Sequence, residues 1–387
     1  MFADRIDRIS PFRVMELMAR AKALEAQGHR VVHFEVGEPD FETAGPIVTA
    51  GHQALDAGRT KYTQAQGLPE LRRAISSYYG ARLGCPVDES RIVVTSGASA
   101  GLTMLAGLLL NPFDEVLITD PGYPCNEVFI QLVGADPVRL PVSAEHGYLP
   151  LPAQVDASWT DRTKGLLIAS PANPTGAMIS AAGLRELNSV VVQRQGFLIL
   201  DEIYQGLVYG SSEFSTGLAV CDDIYVLNSF SKYFGMTGWR LGWLVLPQEA
   251  VEGVVKLAQN LYISPSAIAQ YAALAAFSDS ALQIHEQRRL EFASRRDRLS
   301  DGLTELGFTI NLQPAGAFYL YVDISHTGMS SVDFCWRLIN EFQVAVTPGI
   351  DFGDFGAKEH VRFAYTVSGP DIDLGLERIA RALKAWA

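Results

Sequence analysis

Apolar positions along the chain fall into two textures. Between about residues 91 and 246, short continuous apolar runs alternate with longer stretches in which apolar residues recur every three or four positions. The runs cover 91–96, 115–120, 165–170, 197–202, 224–229 and 241–246, and an apolar helix is expected at about 99–110. A strand that is apolar throughout, rather than at every second position, belongs to a sheet covered on both faces. Alternation with helices makes that sheet mostly parallel, the mark of an α/β fold. After about residue 280 the texture changes. A charged helix is expected at about 285–306 and a final helix at 372–386, while 318–323 and 361–366 alternate in the manner of a half-exposed sheet. One amphipathic helix is expected within the first 30 residues. The pattern divides the chain into a large unit at 45–280 and a smaller α+β unit formed by the two chain ends, 1–44 and 281–387.

In a covered parallel sheet, ligands sit at the carboxyl ends of the strands. The reactive residue types collect there: Ser96-Gly97, Asp120-Pro121, Ser170 to Asn173, Asp201-Glu202 and Ser229 to Lys232. One crevice fed by five or six strands is the expectation.

Composition narrows the chemistry. Charged residues make up only 19% of the 387, against about 25% in an ordinary soluble domain, so much surface is expected to be buried in a core or between subunits. The net charge of −12 repels phosphate backbones, and no run of Lys or Arg offers a local exception, which argues against nucleic acid as a partner. Cys85, Cys125, Cys221 and Cys335 form no CxxC pair, so buried thiols in a reducing compartment are expected rather than a zinc site or disulfides. The first residues lack the apolar core of a secretory signal. The longest apolar stretch, 101–110, is half of the ~20 residues a membrane span needs. A cytoplasmic, metal-free protein is the expectation. Gly97-Ala-Ser-Ala-Gly101 is not G-x-G-x-x-G, which disfavours a dinucleotide.

The densest element runs from Ser229 through Ser231, Lys232 and Arg240 to Gly242. Small hydroxyls and an arginine suit a phosphate. A lysine desolvated beside cations has a lowered pKa and can form an imine. Gly97-Ala98-Ser99 opens a helix after a strand, where exposed N–H groups favour an anion. A lysine imine next to a phosphate site is the requirement of pyridoxal 5′-phosphate (PLP).

The stretch S-x-S-K-x-x-x-x-x-G-x-R-x-G at 229–242 resembles the cofactor-attachment signature of the class I/II PLP-dependent aminotransferases, of PLP fold type I. Six further segments resemble the same family in the same order: Gly37-Glu-Pro-Asp-Phe41, Lys61-Tyr62 with Gly67 to Arg72, Asn173-Pro-Thr-Gly176, Asp201-Glu-Ile-Tyr204, Ala315-Gly-Ala-Phe-Tyr319 and Val361-Arg362. The resemblance implies a large PLP-binding domain with a mostly parallel covered sheet. It also implies ping-pong transfer of an amino group between an L-amino acid and a 2-oxo acid. Lys232 would carry the cofactor's Schiff base and then move the proton at Cα. Asp201 would face the pyridine nitrogen, Asn173 and Tyr204 the phenolic oxygen, and Tyr123 the ring face. Gly97, Ala98, Ser99, Ser229, Ser231 and Arg240 would cup the phosphate. Tyr62 would reach that phosphate from the neighbouring subunit of a homodimer. Arg362 would grip the substrate's α-carboxylate, with Gly37 and Asn173 beside it, and the segment Ile9 to Arg13 would line the side-chain pocket.

The sequence departs from aspartate-preferring members at Ser99, where some carry a basic residue. No second arginine or lysine is clearly matched to a distal carboxylate, although Arg13 could serve. A neutral substrate side chain is therefore slightly favoured. The same lysine, aspartate and arginine would also serve a PLP-dependent β-lyase acting on carbon–sulfur bonds. A non-catalytic regulator of this fold would need an added DNA-binding segment, which the residues before Gly37 do not supply.

Overall fold

The computed structural model describes residues 2–386 apart from Asp4, Ser10 and 211–215. In chain order the strands are β1 (Val32–His33), β2 (Ile92–Thr95), β3 (Glu115–Asp120), β4 (Asp136–Pro141), β5 (Thr163–Ala169) and β6 (Phe197–Asp201). They continue with β7 (Tyr225–Ser229), β8 (Gly242–Val245), β9 (Tyr319–Asp323), β10 (Val344–Ala345), β11 (Thr347–Pro348) and β12 (His360–Ala364). Seven of them form one sheet in the order β2-β8-β7-β6-β5-β3-β4. Every pair is parallel except those of β8, which runs antiparallel to both neighbours.

Successive residues of these strands enter different cores. Val94, Leu166 and Ile168 pack into one apolar cluster, while Val93 and Leu167 pack into another on the opposite face. Helices therefore cover both faces, as continuous apolar runs require. Strand β4 has no such run. It is an edge strand, half-buried and containing Pro137 and Pro141, and prolines are tolerated where one side of the ladder is unpaired.

The chain ends meet in two small sheets, β1 with β10 and β11-β12-β9. The half-exposed sheet expected at 318–323 and 361–366 is not what forms. Strands β9 and β12 are buried along nearly their whole length. The polar positions of the pattern do not face water; they face the large sheet, where Arg362 donates to Asn173 and Tyr319 bonds Tyr204. The charged helix spans Asp279–Glu305, starting earlier than its charges suggest because Ser278 caps it at the Ala281 amide. Cys221 and Cys335 are buried as expected, but Cys85 and Cys125 are only half-buried; all four are free thiols. No helix among the described residues is long and apolar enough to cross a membrane.

Candidate active site

A cavity of about 260 Å³ opens where the carboxyl ends of the large sheet meet the small sheets. Lys232, three residues past β7, lines it, and its Nζ donates to the Gly37 carbonyl at 2.7 Å. Burial pulls the Lys232 pKa down to about 8, with Arg362 and Arg240 adding to the fall and Glu38 opposing it. A fraction of the amine is then neutral near pH 7, as a nucleophile or base requires.

One end of the cavity is built for an anion. Gly97 adopts φ +84° at the start of the helix Ala98–Leu109, and a Cβ there would stand 2.6 Å from Arg240 Nη2. Glycine thus lets the guanidinium close on the helix N-terminus, where unpaired N–H groups of Ala98 and Ser99 gather. Arg240 is itself in the left-handed region, φ 54°, at the end of the turn Thr237–Trp239, and its Nη1 donates to the Thr237 carbonyl at 3.1 Å. Ser229 and Ser231 line the same end; the Ser231 amide donates to Ser229 Oγ at 3.0 Å.

Elsewhere in the cavity lies Asp201, at the end of β6. Its Oδ1 accepts from the Ile203 amide at 3.0 Å, and burial raises its pKa to about 7. Lys232 is the cation that acts on it, and Asp201 forms no ion pair among the described residues. A buried carboxylate without an ion-pair partner is a place for a cationic group of a ligand. Tyr123, Asn173 and Tyr204 line the cavity from the ends of β3, β5 and β6.

Arg362 is buried in β12. Its Nη1 donates to Asn173 Oδ1 at 2.9 Å and its Nη2 to the Glu35 carbonyl at 2.7 Å, while its buried Nε has no partner. The guanidinium lies between the rings of Tyr319, 4.2 Å away, and Phe352, 4.8 Å away. A buried guanidinium that lines a cavity suits a carboxylate.

The remaining wall comes from the N-terminal segment. Phe12, Val14, Met15 and Met18 line the cavity, joined by Leu102. Asp351 Oδ2 accepts from the Val14 amide at 2.8 Å and so holds the first turn of the helix Arg13–Ala26. Burial raises the Asp351 pKa to about 6. Arg13 lines a second cavity of about 360 Å³, which shares Phe12 and Tyr123 with the first. Ser10 lies outside the described residues.

The cavity brings together Gly37, Ala98, Ser99, Tyr123, Asn173, Asp201, Tyr204, Ser229, Ser231, Lys232, Arg240 and Arg362. Gly97 abuts it through Arg240. Tyr62 does not join: it is 78% exposed and outside the lining. Two lining residues, Tyr319 and Glu35, have no role in the sequence reading. Tyr319 ends the segment Ala315-Gly-Ala-Phe-Tyr319, where a polar tip next to Phe318 is its only local signal. Glu35 is fully buried, its Oε1 2.8 Å from His33 Nδ1 and its Oε2 unpartnered.

A family model described as aminotransferase class I and II matches residues 29–379. The chain is 37% identical to the (5-formylfuran-3-yl)methyl phosphate transaminase of Methanocaldococcus jannaschii, covering 99% of this chain and 100% of that one. It is 35% identical to the aspartate/prephenate aminotransferase of Thermus thermophilus, covering 98% of each. Among solved structures, an aminotransferase from Mycobacterium tuberculosis superposes with a TM-score of 0.95 at 33% identity, over 100% of this chain and 99% of that one.

Proposed function

From the premise that this chain belongs to the aminotransferase class I and II family and is an aminotransferase, we propose that its cavity holds pyridoxal 5′-phosphate with the residues named above. The observation that carries this reading is that a buried amine, a buried carboxylate and an anion cradle share one cavity with a buried guanidinium. The donor set fits each functional group of the cofactor. The helix start at Ala98, with Ser229, Ser231 and Arg240, fits the phosphate. Asp201 fits the protonated ring nitrogen, and Tyr123 the ring face. Bound there, the cofactor supplies an electron sink for the pair left at the substrate's Cα.

The chain's own residues do the rest. Arg362 takes the substrate's α-carboxylate, and Asn173 fixes the pose of its guanidinium. The Asn173 amide accepts from Arg362 through Oδ1, which directs its Nδ2 donors elsewhere, together with the Tyr204 hydroxyl, to the cofactor's phenolic oxygen. Lys232 Nζ, with its pKa near 8, takes the proton from Cα and holds it for return. The Gly37 carbonyl, 2.7 Å from Nζ, steadies the amine between these steps.

Four apolar side chains of the N-terminal wall and a neutral Ser99 favour a neutral substrate side chain. The relatives' names span a phosphate-bearing aldehyde and aspartate or prephenate, so the wall rather than the family decides. Tyr62, exposed in the single chain, is assigned to the phosphate end of a second copy's cavity in a homodimer. The domain division at 45–280 against the two chain ends belongs to the same proposal. So does a cytoplasmic location, which the four free thiols support. The test is reduction of the PLP-loaded protein with borohydride, followed by mass mapping. The cofactor's mass on the peptide carrying Lys232 is expected. Labelling of another lysine, or none, overturns the reading.

A further inference from the structure

Tyr319 touches three parts of the site at once. Its hydroxyl shares a 2.8 Å hydrogen bond with that of Tyr204. Its ring lies 4.2 Å from the Arg362 guanidinium. Its hydroxyl also fills the space that a side chain at Gly37 would need, and Gly37 in turn offers its carbonyl to Lys232. The strand register explains the contact with Arg362. Tyr319 pairs with Ala364 across β9 and β12, which makes Arg362 its diagonal neighbour on the same face.

A phenol has a single proton to give. If Tyr204 spent its proton on Tyr319, none would be left for a ligand in the cavity. If Tyr319 donates instead, the Tyr204 proton is directed into the cavity and its oxygen is polarised for donation. Burial pushes both phenols up and Arg362 pulls against both, but Tyr204 is raised further, which leaves Tyr319 the more acidic hydroxyl and the better donor of the pair.

We propose that Tyr319 is a positioning residue with two separable actions: its hydroxyl strengthens Tyr204 as a donor to the cofactor's phenolic oxygen, and its ring holds Arg362 for the substrate carboxylate. This rests on the cofactor reading above. A stronger donor at that oxygen draws charge from it and loosens its hold on the proton at the Lys232 nitrogen. Removing the Tyr319 hydroxyl therefore raises the pH at which the loaded protein's long-wavelength absorbance titrates.

The experiment titrates that absorbance against pH in the PLP-loaded wild type, Tyr319→Phe, Tyr319→Leu, Tyr204→Phe and the double Phe variant, with KM for an amino acid donor measured alongside. Tyr319→Phe is expected to move the midpoint up by about half a unit, the share of one neutral hydrogen bond passed through a second. KM should stay within about twofold because the ring remains over Arg362. Tyr319→Leu should raise KM as well, about fivefold, for the lost cation–π contact. In the Tyr204→Phe background the second substitution should add no shift, since the hydroxyl acts through Tyr204. An unchanged midpoint in Tyr319→Phe, or a full additional shift in the double variant, overturns the proposal while leaving the cofactor reading intact. Absence of any band in the wild type with added PLP overturns both. Should Tyr319→Leu fail to fold, the Phe variants still decide the hydroxyl's part.

Discussion

On one side of the cavity stand Asn173, Asp201, Ser229 and Lys232, each at or just beyond the end of a strand in the seven-stranded sheet. On the other lie Phe12, Val14, Met15 and Met18, carried by a single helix whose first turn is tied to Asp351. The first wall is polar, and its groups are held by backbone and side-chain hydrogen bonds. The second is apolar, and Met15 is exposed on its outer edge. The groups proposed to hold charge stand at the ends of a hydrogen-bonded sheet, while the surface proposed to select a side chain is one helix resting on the small sheets. In the proposed function, reaction type belongs to one wall and substrate choice to the other.

The largest effect that would break this division is at Lys232. Lys232→Ala should lower turnover of any amino acid by about 10⁴-fold or more, since proton transfer at Cα loses its base; steady-state rates with PLP added in excess check it. Asp201→Asn keeps the shape but removes the charge, and about a thousandfold loss in kcat is expected, with KM little changed. Arg362→Ala should cost about 10²–10³ in kcat/KM, the loss of a charge-assisted pair with a carboxylate. A survivor of that substitution with unchanged kcat/KM would move the carboxylate grip elsewhere.

Smaller effects concern substrate choice and the support of the second wall. Ser99→Lys adds a cation to the cavity at the start of the helix Ala98–Leu109. It should raise the preference for aspartate over a neutral amino acid by about tenfold, read from the ratio of kcat/KM values. The smallest effect concerns the strap behind this wall. His33 bridges Glu25 on the Arg13–Ala26 helix and the buried Glu35, at 3.0 and 2.8 Å. The hydrogen bond that His33 donates to Glu35 raises its pKa from 6.5 to about 9 despite partial burial. Because the folded pKa lies above the unfolded one, the contribution is fully present below about pH 6.5 and lost as pH rises through about 9. The gap in unfolding midpoint between wild type and His33→Gln should therefore shrink across that window.

The two walls also differ in how far the sequence discloses them. Strands β2, β3 and β5 to β8 announce themselves because burial on both faces demands unbroken apolar runs. The residues just past their ends then fall into one crevice by geometry. Strand β4 escapes notice, since an edge strand broken by Pro137 and Pro141 carries no such run. Strands β9 and β12 mislead, because their alternating polar residues read as solvent-facing when they pack against residues of the large sheet. Tyr319 and Tyr204 lie 115 positions apart, and no local pattern encodes that meeting. Glu35 is hidden for the same reason: its partner His33 is close in sequence, but Arg362, which donates to its carbonyl, lies 327 positions away.

The division between the walls is tested most directly by following the absorbance of the PLP-loaded protein through a single half-reaction. Wild type is compared with Met18→Ala across a panel of amino acids, each reaction reversed with a 2-oxo acid. The account predicts that both proteins convert to the shorter-wavelength amine form and return, with the same titration midpoint before conversion. Only the ranking of the amino acids should change. A shifted midpoint in Met18→Ala, or an unchanged ranking, would contradict it.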